Sequence, residues 1–187
     1  MLRLLLFLLL VLPCFADSPL TSTEFWSAYS DVPQVVKASE LKKLDASLDE
    51  FLLSKVSIDR KAALINALGW DLKGQKNAPH FRAALAQKYS GDLDSQLTAD
   101  EAFCLGYLTA MDSYNKAAPA LPYLERAHKG RPHSFTIAIV HALVSCQVDS
   151  NYDGWWEVMS KVLDDEQLYP DLRGRARDVI IDYMKPQ

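Results

Sequence analysis

The sequence predicts an all-α fold of stacked antiparallel helical hairpins, and three observations predict it. Apolar residues recur at steps of three and four along most of the chain, which is one face of a 3.6-residue helix. Residues that cap helices precede these stripes, and glycine or proline follows them. The starts of corresponding segments repeat every 35–41 residues, within the roughly 34–47-residue periods of helical-hairpin repeats.

The segments read as follows. Thr21-Ser22-Thr23-Glu24 has the form of a capping box and opens a short helix through Phe25, Trp26 and Tyr29, which Pro33 ends. Leu41, Leu44, Leu48, Phe51 and Leu52 then share one helical face. Ser57 is placed to cap a helix carrying Ile58, Ala62, Ile65 and Leu68, and Asn77 to cap another with Pro79 in its first turn. A second capping box, Thr98 to Glu101, opens the helix of Cys104, Tyr107, Leu108 and Met111. Pro119 and Pro122 start the next, which Gly130 and Pro132 stop.

Ser134 is placed to cap Phe135–Val148, a segment apolar nearly all round and therefore expected in the core. Its β-branched start makes a strand the local rival, though no partner strand is evident. Asp153 is placed to cap the Trp155–Val162 segment, and Pro170 and Asp171 to start the last helix, through Tyr183. These pair as three hairpins whose first helices begin near Ser57, Thr98 and Ser134 and whose second begin near Asn77, Ala117 and Tyr152. Residues 17–56 form a leading helical segment, and 57–187 a hairpin region in the same domain. One hairpin cannot bury its apolar face alone, so hairpins stack.

Residues 101–132 resemble a tetratricopeptide repeat. Counted from Glu101, the small positions of the second helix fall on Ala120 and Ala127, with Leu124 between them and Pro132 closing the unit. Cys104, Tyr107 and Met111 suit the first helix, while Leu108 stands where a small residue is expected. The resemblance implies a right-handed α-solenoid or a compact helical array, and a groove lined by first-helix side chains. Tyr107, Met111, Tyr114 and His141 would line that groove, and Trp156, beside Trp155, would be an interface anchor. The expected role is a module that binds a protein or peptide.

The N-terminus fixes an expected compartment. Arg3 precedes the nine-residue apolar run Leu4–Leu12, Pro13 breaks it, and Cys14-Phe15-Ala16 places small residues at −3 and −1. That is the layout of a secretory signal over residues 1–16, and it makes the protein periplasmic or secreted. A membrane-spanning helix needs about 20 apolar residues, so no insertion is expected after cleavage. Losing Arg3 takes the formal net charge from −4 to −5, a poor match to nucleic acid. Export also raises the question of the two remaining cysteines, Cys104 and Cys146: they form either a disulfide or two buried small hydrophobes.

Chemistry-bearing patterns are sparse. Asp149, Asn151 and Asp153, then Gly154 and Glu157, match the first half of a calcium loop. The acidic twelfth position is Ser160, so a polar turn capping the next helix is the competing reading. Four histidines lack zinc spacing; His141 and Ser145 lie one turn apart with no third group. The acidic clusters 45–50 and 164–166 read as solvated helix ends, and Arg173, Arg175 and Arg177 as partners for carboxylates on their own helix. No catalytic or cofactor-binding residue stands out, and a small exported enzyme and a calcium-stabilised structural module remain the alternatives.

Overall fold

The computed structural model describes residues 18–71, 73–149 and 152–186; the expected leader lies outside them. Among the described residues the chain is all-helical. A short 3-10 helix, Phe25–Tyr29, leads into α1 (Pro33–Leu41), α2 (Ala46–Leu53) and α3 (Ile58–Leu68). Then come α4 (Asn77–Lys88), the single turn α5 (Leu93–Gln96), α6 (Ala99–Asp112), α7 (Leu121–Gly130) and α8 (Phe135–Val148). The chain closes with α9 (Trp155–Leu163) and α10 (Gly174–Met184). None of these is long and apolar enough to cross a membrane. The β-branched start of α8 is helical, and the nearest approach to a strand is one isolated parallel bridge between Ser134 and Tyr169.

Several local expectations are corrected. Pro33 begins α1 instead of ending a helix; at the first position its missing N–H costs no helical bond. The Leu41–Leu52 stripe is split between α1 and α2, because Lys42 turns left-handed (φ 56°) and closes α1. The box at Thr21 does not form: the first 3-10 turn starts at Phe25, with Glu24 before it and no side-chain cap bond. Ser57 and Asp153 make no cap bond, and α10 begins at Gly174, later than Pro170. The box at Thr98 and the cap at Ser134 do form: Thr98 Oγ1 accepts from Glu101 N while Glu101 reaches back, and Ser134 accepts from Ile137 N.

The hairpins α6–α7 and α8–α9 pack as expected, with α7 also against α8. Helices α3 and α4 do not form the third: α1 packs on α3, and α4 crosses to α6. Gly69 (φ 70°, ψ −171°) takes a conformation closed to side-chain-bearing residues and turns the chain away at the end of α3. At the centre α3, α6 and α8 touch one another, and the 3-10 turn packs on both α3 and α10. First and last elements therefore meet, so the architecture is the compact array, not an open solenoid.

Gly106 explains why α6 and α7 pair so closely. A Cβ there would lie 2.9 Å from Tyr123 Cβ and 3.2 Å from Ala120 O. Leu124 and Ala127 on α7, and Ala120 in the 3-10 turn that leads into it, are fully buried. The small residue of the first helix is thus Gly106, two positions before Leu108. The signal was a glycine inside a helix, a costly choice unless close packing requires it.

Candidate functional site

A concavity lies between α4, α6 and α7. Its shape follows from how α4 is held. The residue before α4, Lys76, is left-handed and caps nothing; Asp112, at the far end of α6, accepts from the N–H groups of Asn77 (3.2 Å) and Ala78 (2.7 Å). Asn77 turns its own side chain outward from the helix, accepting from Leu44 N and donating to Lys42 O. Along α4, Arg82 grips Asp94 with both terminal nitrogens (2.8 and 3.0 Å) and donates to Tyr123 Oη at 3.0 Å. Helix α4 is thereby pinned at its start and at its middle, with a gap beneath it.

That gap is a cavity of about 700 Å³, inside the usual range for ligand sites. Pro79, Leu105, Pro119 and the Tyr123 ring form an apolar floor, and Asp71, Lys76 and Asp112 stand at one end. The Gly106 contact sets where Tyr123 sits. Burial pushes the Asp112 carboxyl above its ordinary range, against the lowering effect of the Ala78 and Asn77 N–H bonds. Burial acts on Asp71 in the same sense, but the N–H groups of Gln75, Lys76, Gly74 and Lys73 outweigh it and hold that carboxyl low. The Arg82 bond lowers Asp94. Each carboxylate near the cleft is committed to N–H groups or to Arg82, whereas the Lys76 ammonium has no ion-pair partner among the described residues. Such a surface is equipped to recognise an apolar group beside an anion.

The residues nominated from sequence do not form one surface. Tyr107 and Met111 are core residues, 0% and 2% exposed, which corrects their placement in a groove; Tyr107 Oη accepts from Asn66 Nδ2 at 3.1 Å. Tyr114 begins a short 3-10 turn after α6, and its side chain is outside the described residues. His141 lines a separate cavity of about 280 Å³ between α7, α8 and α9, its ring 6.4 Å from that of His128. Burial, then the neighbouring His128 charge, lowers its pKa. Ser145 Oγ donates to the His141 carbonyl at 2.8 Å, not to its ring, so no serine–histidine pair forms. Trp156 is half-buried against the core, as is Trp155.

The cysteines are free and buried, which is the second of the two readings, two buried small hydrophobes, and not the disulfide; burial pushes both thiols up to about 12. Of the calcium candidates, Asn151 lies outside the described residues. Asp153 sits in the 3-10 turn Tyr152–Gly154, and Glu157 pairs with Lys161 at 2.9 Å. Asp149 offers its main-chain oxygen to Trp155 Nε1 at 2.9 Å. No cluster of three or more metal-ligating side chains exists among the described residues. The arginine run does not pair within its helix: Arg173 reaches Asp31 and stacks 4.3 Å over Tyr29, while Arg177 lies over Phe135.

Sequence reasoning missed two polar clusters joined across long separations. Asp49, expected at a solvated helix end, is buried and shares a 2.7 Å bond with His80. Glu101, 4% exposed, takes bonds from Lys88 and Tyr89 besides Thr98, and Asp100 beside it joins Lys61 and Arg131. No spacing in the chain announces either. No protein-family model, curated protein or solved structure matches this chain.

Proposed function

We propose that this chain is an exported, helical-repeat-like module that binds a protein or peptide segment in the α4–α6–α7 cleft. The α6–α7 hairpin is read as a degenerate tetratricopeptide-type repeat, which the small residues Gly106, Ala120 and Ala127 between its helices support. The observation that carries the binding reading is the cleft itself: about 700 Å³ with an apolar floor and, at its end, Lys76 with no ion-pair partner among the described residues. The fitting partner segment presents an apolar anchor for Leu105, Pro119 and Tyr123, followed within a residue or two by a carboxylate for Lys76.

Thr109 gives a clean test. It lines the cleft, is half-buried, and its hydroxyl is satisfied by Leu105 O at 2.7 Å. Thr109→Trp should fill the cavity without disturbing the polar pins of α4. Peptides selected from a random library against the wild-type chain should be rich in apolar–acidic pairs. They should bind the filled variant at least tenfold more weakly by fluorescence anisotropy, with helicity unchanged. Equal binding to both proteins, or a library that yields no saturable binder, refutes the reading.

A further inference from the structure

The face where α3, α6 and α8 meet is covered by the chain's own N-terminal segment, and the manner of its attachment carries an inference independent of the α4 cleft. Residues 18–24 belong to no helix. They form a compact turn in which Ser18 O accepts from Thr21 N and Ser22 N. At one end Ser18 Oγ donates to Gln147 Oε1 on α8. At the other, Asn66 on α3 holds main chain at two points: Oδ1 accepts from Trp26 N and Nδ2 donates to Thr23 O, both at 3.0 Å. The same Nδ2 meets Tyr107 Oη on α6, so α3 and α8 hold the segment directly and α6 braces the Asn66 amide that does so. Ser18, Leu20, Thr23 and Phe25 are each at most 2% exposed.

Here helix side chains read the backbone of an irregular segment while its apolar side chains enter the core. That is how a helical face holds a peptide that is not part of it, with amide bonds fixing register and apolar anchors supplying affinity. Residues 18–24 can also detach without unwinding a helix, and Phe25, the first residue of the 3-10 turn, is the one helical residue that would leave with them. A cut behind Ala16 would leave Asp17 alone ahead of the segment.

We infer that the α3–α6–α8 face is a peptide-binding groove whose resident occupant is the chain's own segment 18–25, a cis ligand that the same segment supplied in trans can replace. The groove selects a Ser-Pro-Leu turn followed by Thr and Phe anchors. Attachment in cis makes the local concentration of this ligand high, so a free peptide competes only when the resident segment is weakened.

The test uses the chain from Asp17 and a fluorescent synthetic peptide of residues 17–26. Leu20→Asp removes the resident segment's apolar anchor and leaves the helices untouched. This variant should bind the peptide at least tenfold more tightly than the wild-type chain does, and adding Gln147→Ala should weaken that binding at least threefold. A folded Leu20→Asp chain with no saturable binding overturns the inference. Hydrogen exchange on the wild-type chain decides the matter even if that variant does not fold. Amides of Thr21, Ser22 and Trp26 should exchange at least tenfold faster than those of α6 through local opening. Exchange of both sets at one common rate means the segment is an integral part of the fold, which also overturns the inference.

Discussion

Two regions of this molecule are held together by different physics. The α6–α7 hairpin is a matter of shape: Gly106 admits Tyr123 and Ala120, and Gly130 lies where a Cβ would come 2.7 Å from Ala99 Cβ. The rim formed by the N-terminal segment, the first 3-10 turn and the start of α10 is a matter of polar stitching. Asn66 joins three partners there, and Arg173 binds Ala28 O, Asp31 and the Tyr29 ring together. Shape packing fails gradually, by methyl groups. A stitch fails by leaving buried donors and acceptors without partners, at about 1–3 kcal/mol for each group.

The largest effect should therefore come from the stitched rim. Asn66→Ala strands Trp26 N–H, Thr23 O and Tyr107 Oη at once, and should cost about 3 kcal/mol, read as a lower urea midpoint with the slope unchanged. A loss below about 0.5 kcal/mol, the scatter of ordinary surface changes, would mean that the rim rests on Leu20 and Phe25 alone.

Gly106→Ala tests the shape-packed hairpin through the sign of its effect. In an exposed helix this change stabilises by about 1 kcal/mol. Here the new methyl meets Tyr123 Cβ at 2.9 Å and the Ala120 carbonyl at 3.2 Å, and overpacking of that kind costs about 1–3 kcal/mol. Net destabilisation in chemical unfolding is expected; net stabilisation would show that α7 can simply move aside.

The same contrast governs what could be read from the sequence. Apolar period, the capping box at Thr98, the cap at Ser134 and the buried Phe135–Val148 segment are local signals, and they point to the all-α class and two of the three hairpins. The α3–α4 hairpin was misread because the group holding α4 is Asp112, 34 residues from Ala78. A carboxylate acting across that separation leaves no trace in periodicity. The cleft was illegible for the same reason. Tyr107 and Met111 were placed in a groove because an apolar stripe alone does not say which of its neighbours covers it.

A smaller, pH-dependent effect belongs to the first turn of α6. Burial raises the Glu101 carboxyl, but bonds from Lys88, Tyr89 and Thr98 outweigh it and pull the carboxyl down to about 2. A group whose folded pKa is depressed stabilises the fold above its unfolded value, about 4.3. That contribution disappears as pH falls from there toward 2. Glu101→Gln should flatten this part of a stability–pH curve measured by urea unfolding while leaving its neutral limb parallel. An unchanged acid limb would assign the acid sensitivity to other carboxylates.

The smallest expected effect concerns the two thiols, one in each of two central helices. Cys104 and Cys146 are buried on α6 and α8, both free and both raised to about 12 by burial, so little thiolate exists at neutral pH. A reductant should leave the melting temperature of the purified protein unchanged. A thiol reagent should modify both cysteines only at the rate of unfolding, because shape-packed helices open together. Fast modification of Cys146 alone, whose sulfur lies 3.8 Å from Trp155 O at the end of α8, would mean that α9 lifts from α8 by itself. The shape-packed region would then end at α8, with α9 belonging to the looser periphery.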